Sequence, residues 1–252
     1  MTGTLRVEML SLADSFFVRR VSAPLHASSG SLKLAPLRAT LAGGTVGGDV
    51  DVRLQKGFRF VAKLGVKGAE LRTLLQEAKA TQGMSGTLEG DAVVLGSGGV
   101  STLEGKGEVQ VKDCRVTQAP VMTLVSTVLR IPELAHPDFE ECRGTFTLGD
   151  GRLVNPSLRF KGPTVQLTGH GVTSLRTLAI DYDLTLALSQ ALAQRIPAEE
   201  LRAAFHDRGD GFVTIDFKVT GTTSAPQSDL ALRVGRAAAE SGLKKLLRRR
   251  FF

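Results

Sequence analysis

Apolar and polar residues alternate along most of this chain with a period of two. In one such run, Phe60 and Leu64 fall on one side while Arg59 and Lys63 fall on the other. Because successive side chains of a β-strand point to opposite faces of a sheet, this spacing predicts a strand with one apolar face. Strands of this one-sided kind favour an antiparallel sheet. The same pattern recurs near residues 108–112, 145–148, 158–167, 180–188 and 213–219.

Glycine-containing turn signals separate these runs. Gly43-Gly44, Gly47-Gly48, Asp150-Gly151 and Asp210-Gly211 stand where hairpins need residues that tolerate a positive φ angle. The glycines between 43 and 48 lack the GxGxxG order of a dinucleotide site, and a strand pattern follows them where a phosphate site needs a helix. We therefore expect them to turn the chain between two adjacent strands.

Helical spacing of apolar residues interrupts the strands in a few places. It predicts helices near 69–80, 119–131 and 190–205, with Pro197 expected to split the last one. A basic amphipathic helix or tail is predicted over 234–252. The chain is thus expected to be mainly β with a few helices, with one β domain over 1–233 followed by this tail.

Charge is concentrated at the C-terminal end. The net charge of the 252 residues is +7, and the last nineteen residues carry +5 of it, so the rest is nearly neutral. Stacking on nucleic acid requires aromatic residues among the cations, whereas the phenylalanines here fall mainly on the strand faces opposite Lys and Arg. No nucleic-acid partner is expected.

Familiar catalytic and metal-binding patterns do not occur in the sequence. There is no GxSxG or HExxH motif, and the histidines are far apart, His170 between two glycines being the one most worth examining. We therefore expect no enzyme activity, no cofactor and no metal site. Cys114 and Cys142 are either two buried thiols or a single disulfide, and the sequence leaves both open.

The apolar faces themselves are the strongest functional signal. The predicted helices are too few to cover every strand, so a bent sheet would keep an apolar inner surface able to hold acyl chains. An ordinary core filled by side chains is the alternative that the pattern leaves open. The candidate groove residues are Phe58, Phe60, Leu64, Val109, Val111, Phe146, Leu148, Phe160, Leu167, Tyr182, Leu184, Leu186, Ile215 and Phe217.

The tail has the composition of a helix that lies on an anionic membrane. Leu243, Leu246 and Leu247 form an apolar stripe beside a cluster of cations. A solvated terminal helix is the alternative. The candidate membrane contacts are Lys244, Lys245, Arg248, Arg249, Arg250, Phe251 and Phe252.

An ordered set of segments resembles the AsmA family. Residues 30–48 match the pattern GxLxLxPLxAxLxGGxxxG that members of this family carry. No single match is specific, and it is their order along most of the chain that carries the resemblance. Further similar segments are GAELRTLL at 68–75, GTLEGD at 86–91, KGEVQVKDCRV at 106–116, the run from Cys142 to Leu175, DYDLTLAL at 181–188 and VTGTTSAPQSDL at 219–230.

The resemblance implies a long, curved, taco-like antiparallel sheet with an apolar groove. Members of this family, which includes TamB-like proteins, are thought to conduct phospholipid between the inner and outer membranes. They are typically held in the inner membrane by an N-terminal helix and face the periplasm. That anchor is not present in these 252 residues, so we expect a part of a longer protein. The expected partners are phospholipid, an anionic membrane surface and envelope assembly proteins, and the alternative function is a scaffold for outer-membrane assembly that acts through the sheet edges.

Overall fold

The protein is described by a computed structural model over residues 1–12, 16–55, 57–78, 83–197 and 199–251. At 12, 16, 100, 118, 200 and 241–251 the description is of the backbone alone.

Fourteen strands within these residues form one open antiparallel sheet, which confirms the predicted fold. Neighbours along the chain pair in turn from β1 to β11, then β11 pairs with β13, and both β12 and β14 pair with β13. The strands are β1 Thr2–Leu12, β2 Phe16–Ser28, β3 Ser31–Leu41, β4 Gly44–Arg53, β5 Arg59–Glu70, β6 Gly83–Gly96, β7 Glu104–Gln118, β8 Asp138–Gly149, β9 Arg152–Lys161, β10 Val165–Ser174, β11 Ala179–Ser189, β12 His206–Asp207, β13 Phe212–Thr222 and β14 Pro226–Ser228.

Helices occur in each of the regions where helical spacing appeared. Residues 79–80 of the first predicted helix lie outside the described residues, and Pro197 stands between the two short helices of the third region. Among the described helices, none is both long and apolar enough to cross a bilayer. The helices are α1 Leu71–Glu77, α2 Pro120–Leu129, α3 Gln190–Ala193, α4 Glu199–Arg202 and α5 Leu230–Phe251, with 3₁₀ turns at Val100–Thr102 and Pro132–Ala135.

Helix α5 begins at Leu230, four residues before the predicted start of the tail. Asp229 fixes this start, because its Oδ1 accepts a hydrogen bond of 2.6 Å from the backbone N–H of Lys218 in β13. Its Oδ2 accepts another of 2.7 Å from Nε of Arg233 in the first turn. The helix therefore begins directly against the sheet, and Leu230 and Val234 are buried.

The glycine-rich stretch near residue 43 contains a tighter turn than predicted. Ala42 and Gly43, with φ angles of 46° and 81°, form the turn between β3 and β4. Gly47 and Gly48 already belong to β4, so the prediction of a second turn signal there is wrong. They read as a turn in sequence because glycine is common both in turns and in strands that another backbone approaches closely.

Register defines two faces of the sheet, since residues paired across an antiparallel ladder point to the same side. The apolar face, called the inner face below, has one row that crosses ten strands without a charged residue. Lysine, arginine and carboxylate side chains of the strands lie mainly on the opposite, outer face. The row consists of Ala39, Val46, Val66, Gly90, Val109, Gly144, Leu158, Gly169, Leu184 and Phe217.

The inner face is the concave one. A Cβ atom built at Gly90 would lie 2.6 Å from the backbone oxygen of Glu108, so the backbone of β7 approaches β6 closely on this side of the sheet. At Gly47 on the outer face, the nearest atom would be 3.9 Å away. Ala39 and Val46 are buried in a cluster made only of sheet residues, which a flat exposed face would not allow. Glycines in alternate strands of the row thus let the sheet curl toward its apolar side.

Helices cover the inner face at one end of the C-terminal strands. Residues of α2, α3 and α5 form a single buried cluster with the inner face of β7 to β13, and Leu129, Leu186 and Phe217 are at most 1% exposed. Helix α1 makes a smaller contact of the same kind, where Leu74 packs with Ala69. The main core therefore lies under the C-terminal half of the sheet.

Candidate functional site

The predicted groove residues that lie in strands all share the inner face. Each falls in register with, or an even number of residues from, a member of the ten-strand row. Phe58 lies just before β5, is 48% exposed, and its ring centroid is 6.0 Å from that of Phe60. The alternation in the sequence therefore brought these distant residues to one surface.

Helices divide this set into two parts. Six of its members belong to the buried cluster beneath α2, α3 and α5, and there the inner face is a filled core, as the alternative interpretation expected. Atoms in such a core already contact other side chains, so they offer no surface to a ligand. The six are Val111, Leu167, Leu184, Leu186, Ile215 and Phe217.

The other part keeps accessible apolar surface. Phe60, Leu64, Val109, Phe146 and Leu148 are half-buried, and none of them belongs to the helix-covered cluster. They lie on β5, β7 and β8, in the middle of the sheet. This region, called the open groove below, is the part of the predicted site that could receive a ligand.

Phe160 and Tyr182 lie at the margin between the two parts. Both are half-buried and pack against the helix-covered cluster, and the ring of Phe160 lies 5.5 Å from that of Phe139. Tyr182 lies across Gly171, where a Cβ atom would be 2.5 Å from the tyrosine ring. Its hydroxyl thereby reaches β9.

A small hydrogen-bonded cluster forms at that point, called the polar cluster below. The hydroxyl of Tyr182 donates to Oδ1 of Asn155 over 2.7 Å and lies 2.9 Å from the hydroxyl of Thr173. Nδ2 of Asn155 donates to the backbone oxygen of Thr145 over 3.0 Å. Burial raises the pKa of Tyr182, so its hydroxyl stays protonated and able to donate.

The sequence pattern did not identify Asn155 as an inner residue. Strict alternation from Leu158 would place Pro156 and Val154 on the inner face. The pairing of β9 with β8 shifts between Thr145 and Thr147, however, because β9 has one extra residue there. This bulge places Asn155 on the inner face. Val154 lies outward and is 37% exposed. Pro156 was the available signal, because proline within a strand is confined to edges and bulges.

The outer face carries ionic contacts, one of which includes a histidine. Nε2 of His170 lies 3.9 Å from a carboxylate oxygen of Asp183, and both are exposed. Lys218 pairs with Asp181 over 2.8 Å, and this hydrogen bond raises the pKa of the lysine. Over the described ranges, no three His, Cys, Asp or Glu side chains come together as a metal site requires.

The two cysteines are neighbours in the core. Cys114 on β7 and Cys142 on β8 are both buried in the helix-covered cluster as free thiols. The adjacent thiol of Cys114 and the burial raise the pKa of Cys142, which keeps that thiol protonated. A protonated, buried thiol such as that of Cys142 is a poor nucleophile, and both cysteine side chains contribute apolar packing here.

The predicted membrane contacts fall at the end of α5. The helix backbone continues to Phe251, whereas Phe252 lies outside the described residues. The first turns of the helix are fixed to the core through Leu230 and Val234. The basic segment therefore extends from a firmly attached base.

The chain matches no protein-family profile, no curated protein and no solved structure. Membership of the AsmA family therefore stays a prediction from the sequence pattern.

Proposed function

We propose that this protein is a non-enzymatic lipid-binding or lipid-transfer module of the bacterial envelope. The open groove holds phospholipid acyl chains during their passage between the inner and outer membranes. One observation carries the proposal: a concave apolar face runs unbroken across ten strands, and within the described residues its main helical cover lies over the C-terminal part, with a smaller contact from α1. The resemblance to the AsmA family adds the periplasmic location and the association of a longer protein with the inner membrane.

Burial of acyl chains would supply enough free energy without any catalytic group. At about 0.8 kcal/mol per buried CH₂, a chain of ordinary length gains on the order of 10 kcal/mol before the entropy of ordering is subtracted. Phe60, Val109 and Phe146 leave apolar surface for such a contact. Because this interaction is non-directional, chains can slide along the groove, as transfer requires.

Native mass spectrometry of the purified protein, with extraction and identification of the bound lipid, tests the proposal. Phe146→Gln places a polar side chain in the open groove and should reduce bound phospholipid several-fold. Thr147→Gln is the matched control, because the neighbouring side chain is exposed on the outer face. Circular dichroism establishes that both variants fold.

Equal lipid content in the two variants would contradict the groove as the site. A folded wild-type protein that stays empty after incubation with phospholipid vesicles would refute the lipid function altogether. In that case the scaffold function becomes the better account.

The scaffold alternative rests on an asymmetry between the two edges of the sheet. At the far edge, β13 is flanked by β12, β14 and the start of α5, whereas β1 pairs only with β2 within the described residues. A strand of eleven residues with one free edge can accept a strand from another envelope protein by β-augmentation.

A further inference from the structure

The polar cluster stands out on the inner face. Along β3 to β11 and β13, the inner positions in register are otherwise apolar residues, glycines and the two cysteines. Asn155, Thr173 and Tyr182 are each half-buried, so a ligand in the groove could reach them. Three polar side chains whose hydrogen bonds served only one another would be unusual on an otherwise apolar face.

The hydrogen bonds within the cluster leave a specific group unused. The single hydroxyl hydrogen of Tyr182 goes to Asn155, so Thr173 donates to the tyrosine oxygen. One amide hydrogen of Asn155 goes to the backbone oxygen of Thr145. Its second amide hydrogen has no partner among the described residues, and the cluster therefore offers a neutral N–H donor to the groove.

The chemistry of this donor selects the part of a lipid that it can bind. A phosphate or other charged headgroup would need a cation, and the registered inner positions of these strands carry none. A neutral acceptor at the top of an acyl chain, the carbonyl oxygen of an ester, fits a single amide donor. The headgroup would then remain outside the groove, in water.

Position along the sheet supports the same assignment. Asn155 is tied to Thr145, the residue that precedes Phe146 of the open groove. On the other side, Tyr182 packs against the helix-covered core, where no room is left for a chain. A lipid held at the cluster would therefore extend its chains over Phe146 and Val109, toward the N-terminal strands.

We infer that the polar cluster is an ester-binding point, at which Asn155 donates a hydrogen bond to an ester carbonyl of a diacyl lipid whose chains lie in the open groove. This inference rests on the proposed lipid function and adds a preference for ester-linked over ether-linked lipids.

The test compares two phosphatidylcholines with the same sixteen-carbon chains, one dipalmitoyl diester and one dihexadecyl diether. The protein is incubated with an equimolar mixture, and native mass spectrometry measures the ratio of the two bound lipids. The wild-type protein should retain the diester over the diether by about 2- to 10-fold, the effect of one net hydrogen bond. Asn155→Leu should bring this ratio close to one.

Thr168→Val is the control variant, because it removes a polar group from β10 on the outer face and should leave the ratio unchanged. A wild-type ratio of one with both lipids bound would overturn the ester-binding point while leaving the lipid function intact. Retention of the preference by Asn155→Leu would overturn the role of that residue. Binding of neither lipid by the folded wild-type protein would refute the lipid function, and the inference with it.

Discussion

Single glycines determine how sharply this sheet can curve. In the inner row, Gly90, Gly144 and Gly169 alternate with branched residues of the strands between them. At Gly169 a Cβ atom would lie 2.6 Å from the side chain of Leu184 and closer still to the backbone oxygen of Asp183. The absent side chain lets β11 approach β10 on the concave side.

Gly169→Ala should therefore destabilise the protein. The added methyl group must push β11 away from β10, which typically costs about 1–3 kcal/mol and would lower the Tm by roughly 3–10 °C for a chain of this size. Thermal unfolding followed by circular dichroism measures the change. Gly3→Ala is the control, since nothing lies within 4 Å of a Cβ atom there and its Tm should stay the same or rise slightly. Equal Tm values for the two variants would contradict the close-approach argument.

Strand β1 lies at one edge of the sheet and, within the described residues, the backbone groups along its free edge have no partner strand. The terminal ammonium group of Met1 donates to the backbone oxygen of Ala27 over 2.9 Å, and the N–H of Ala27 donates to the backbone oxygen of Met1 over 2.8 Å. In an antiparallel ladder such mutual pairs recur at every second residue. The backbone N–H of Leu5 therefore bonds to β2, whereas the backbone N–H of Thr4 points away from β2, toward the free edge. Pro24 opposite Thr4 agrees with this, because proline has no N–H to donate.

Thr4→Pro should accordingly leave the fold intact, because it removes only a backbone N–H that points toward the free edge of the sheet. Its Tm should stay within about 2 °C of wild type, whereas Leu5→Pro breaks the ladder to β2 and should cost about 3 kcal/mol or more. Circular dichroism checks both values, and lipid content by mass spectrometry should be unchanged in Thr4→Pro. If Thr4→Pro keeps its lipid yet fails to restore the outer-membrane barrier in cells that lack the protein, the scaffold function at the β1 edge is favoured over the lipid function.

Across the molecule, the helices that cover the apolar face and the net charge are both distributed unevenly. The inner face is closed by helices in its C-terminal half and open toward β5, while most of the net charge lies beyond the sheet in α5. Because Leu230 and Val234 fix the base of α5 to the core, contact of its basic end with a membrane would also hold the covered end of the groove near that membrane.

Replacing Lys244, Lys245, Arg248, Arg249 and Arg250 by Gln should therefore weaken binding to vesicles that contain anionic phosphatidylglycerol. Five cations supply at most about 5 kcal/mol, so affinity should fall by roughly 100- to 1,000-fold, and high salt should weaken the wild-type protein similarly. Co-sedimentation with the vesicles measures the effect.

The matched control removes the same charge from the outer face of the sheet, with Gln at Lys33, Arg38, Lys63, Lys67 and Lys106, all of which are exposed. If this control loses as much binding as the tail variant, net charge rather than the position of the tail governs membrane contact.

The faces of the strands, and the places where helices interrupt them, follow from the order of residues along the chain. Alternation in Phe60 and Leu64, or in Leu184 and Leu186, is a property of the local backbone, because side chains along any strand point to opposite sides in turn. The Asp150-Gly151 turn is local as well, with φ angles of 51° and 67°. Period and turn chemistry could therefore be predicted from neighbouring residues alone.

Which of those apolar residues keep accessible surface depends instead on packing between elements. Phe146 and Phe217 have similar strand patterns, yet Phe217 is buried in the helix-covered cluster, while Phe146 keeps accessible surface. Asn155 faces inward because one bulge reverses the parity of β9, which depends on its pairing with β8. The covering of a strand by helices and its register with its neighbours both arise from contacts between elements, and the alternation of residues within one strand does not specify them.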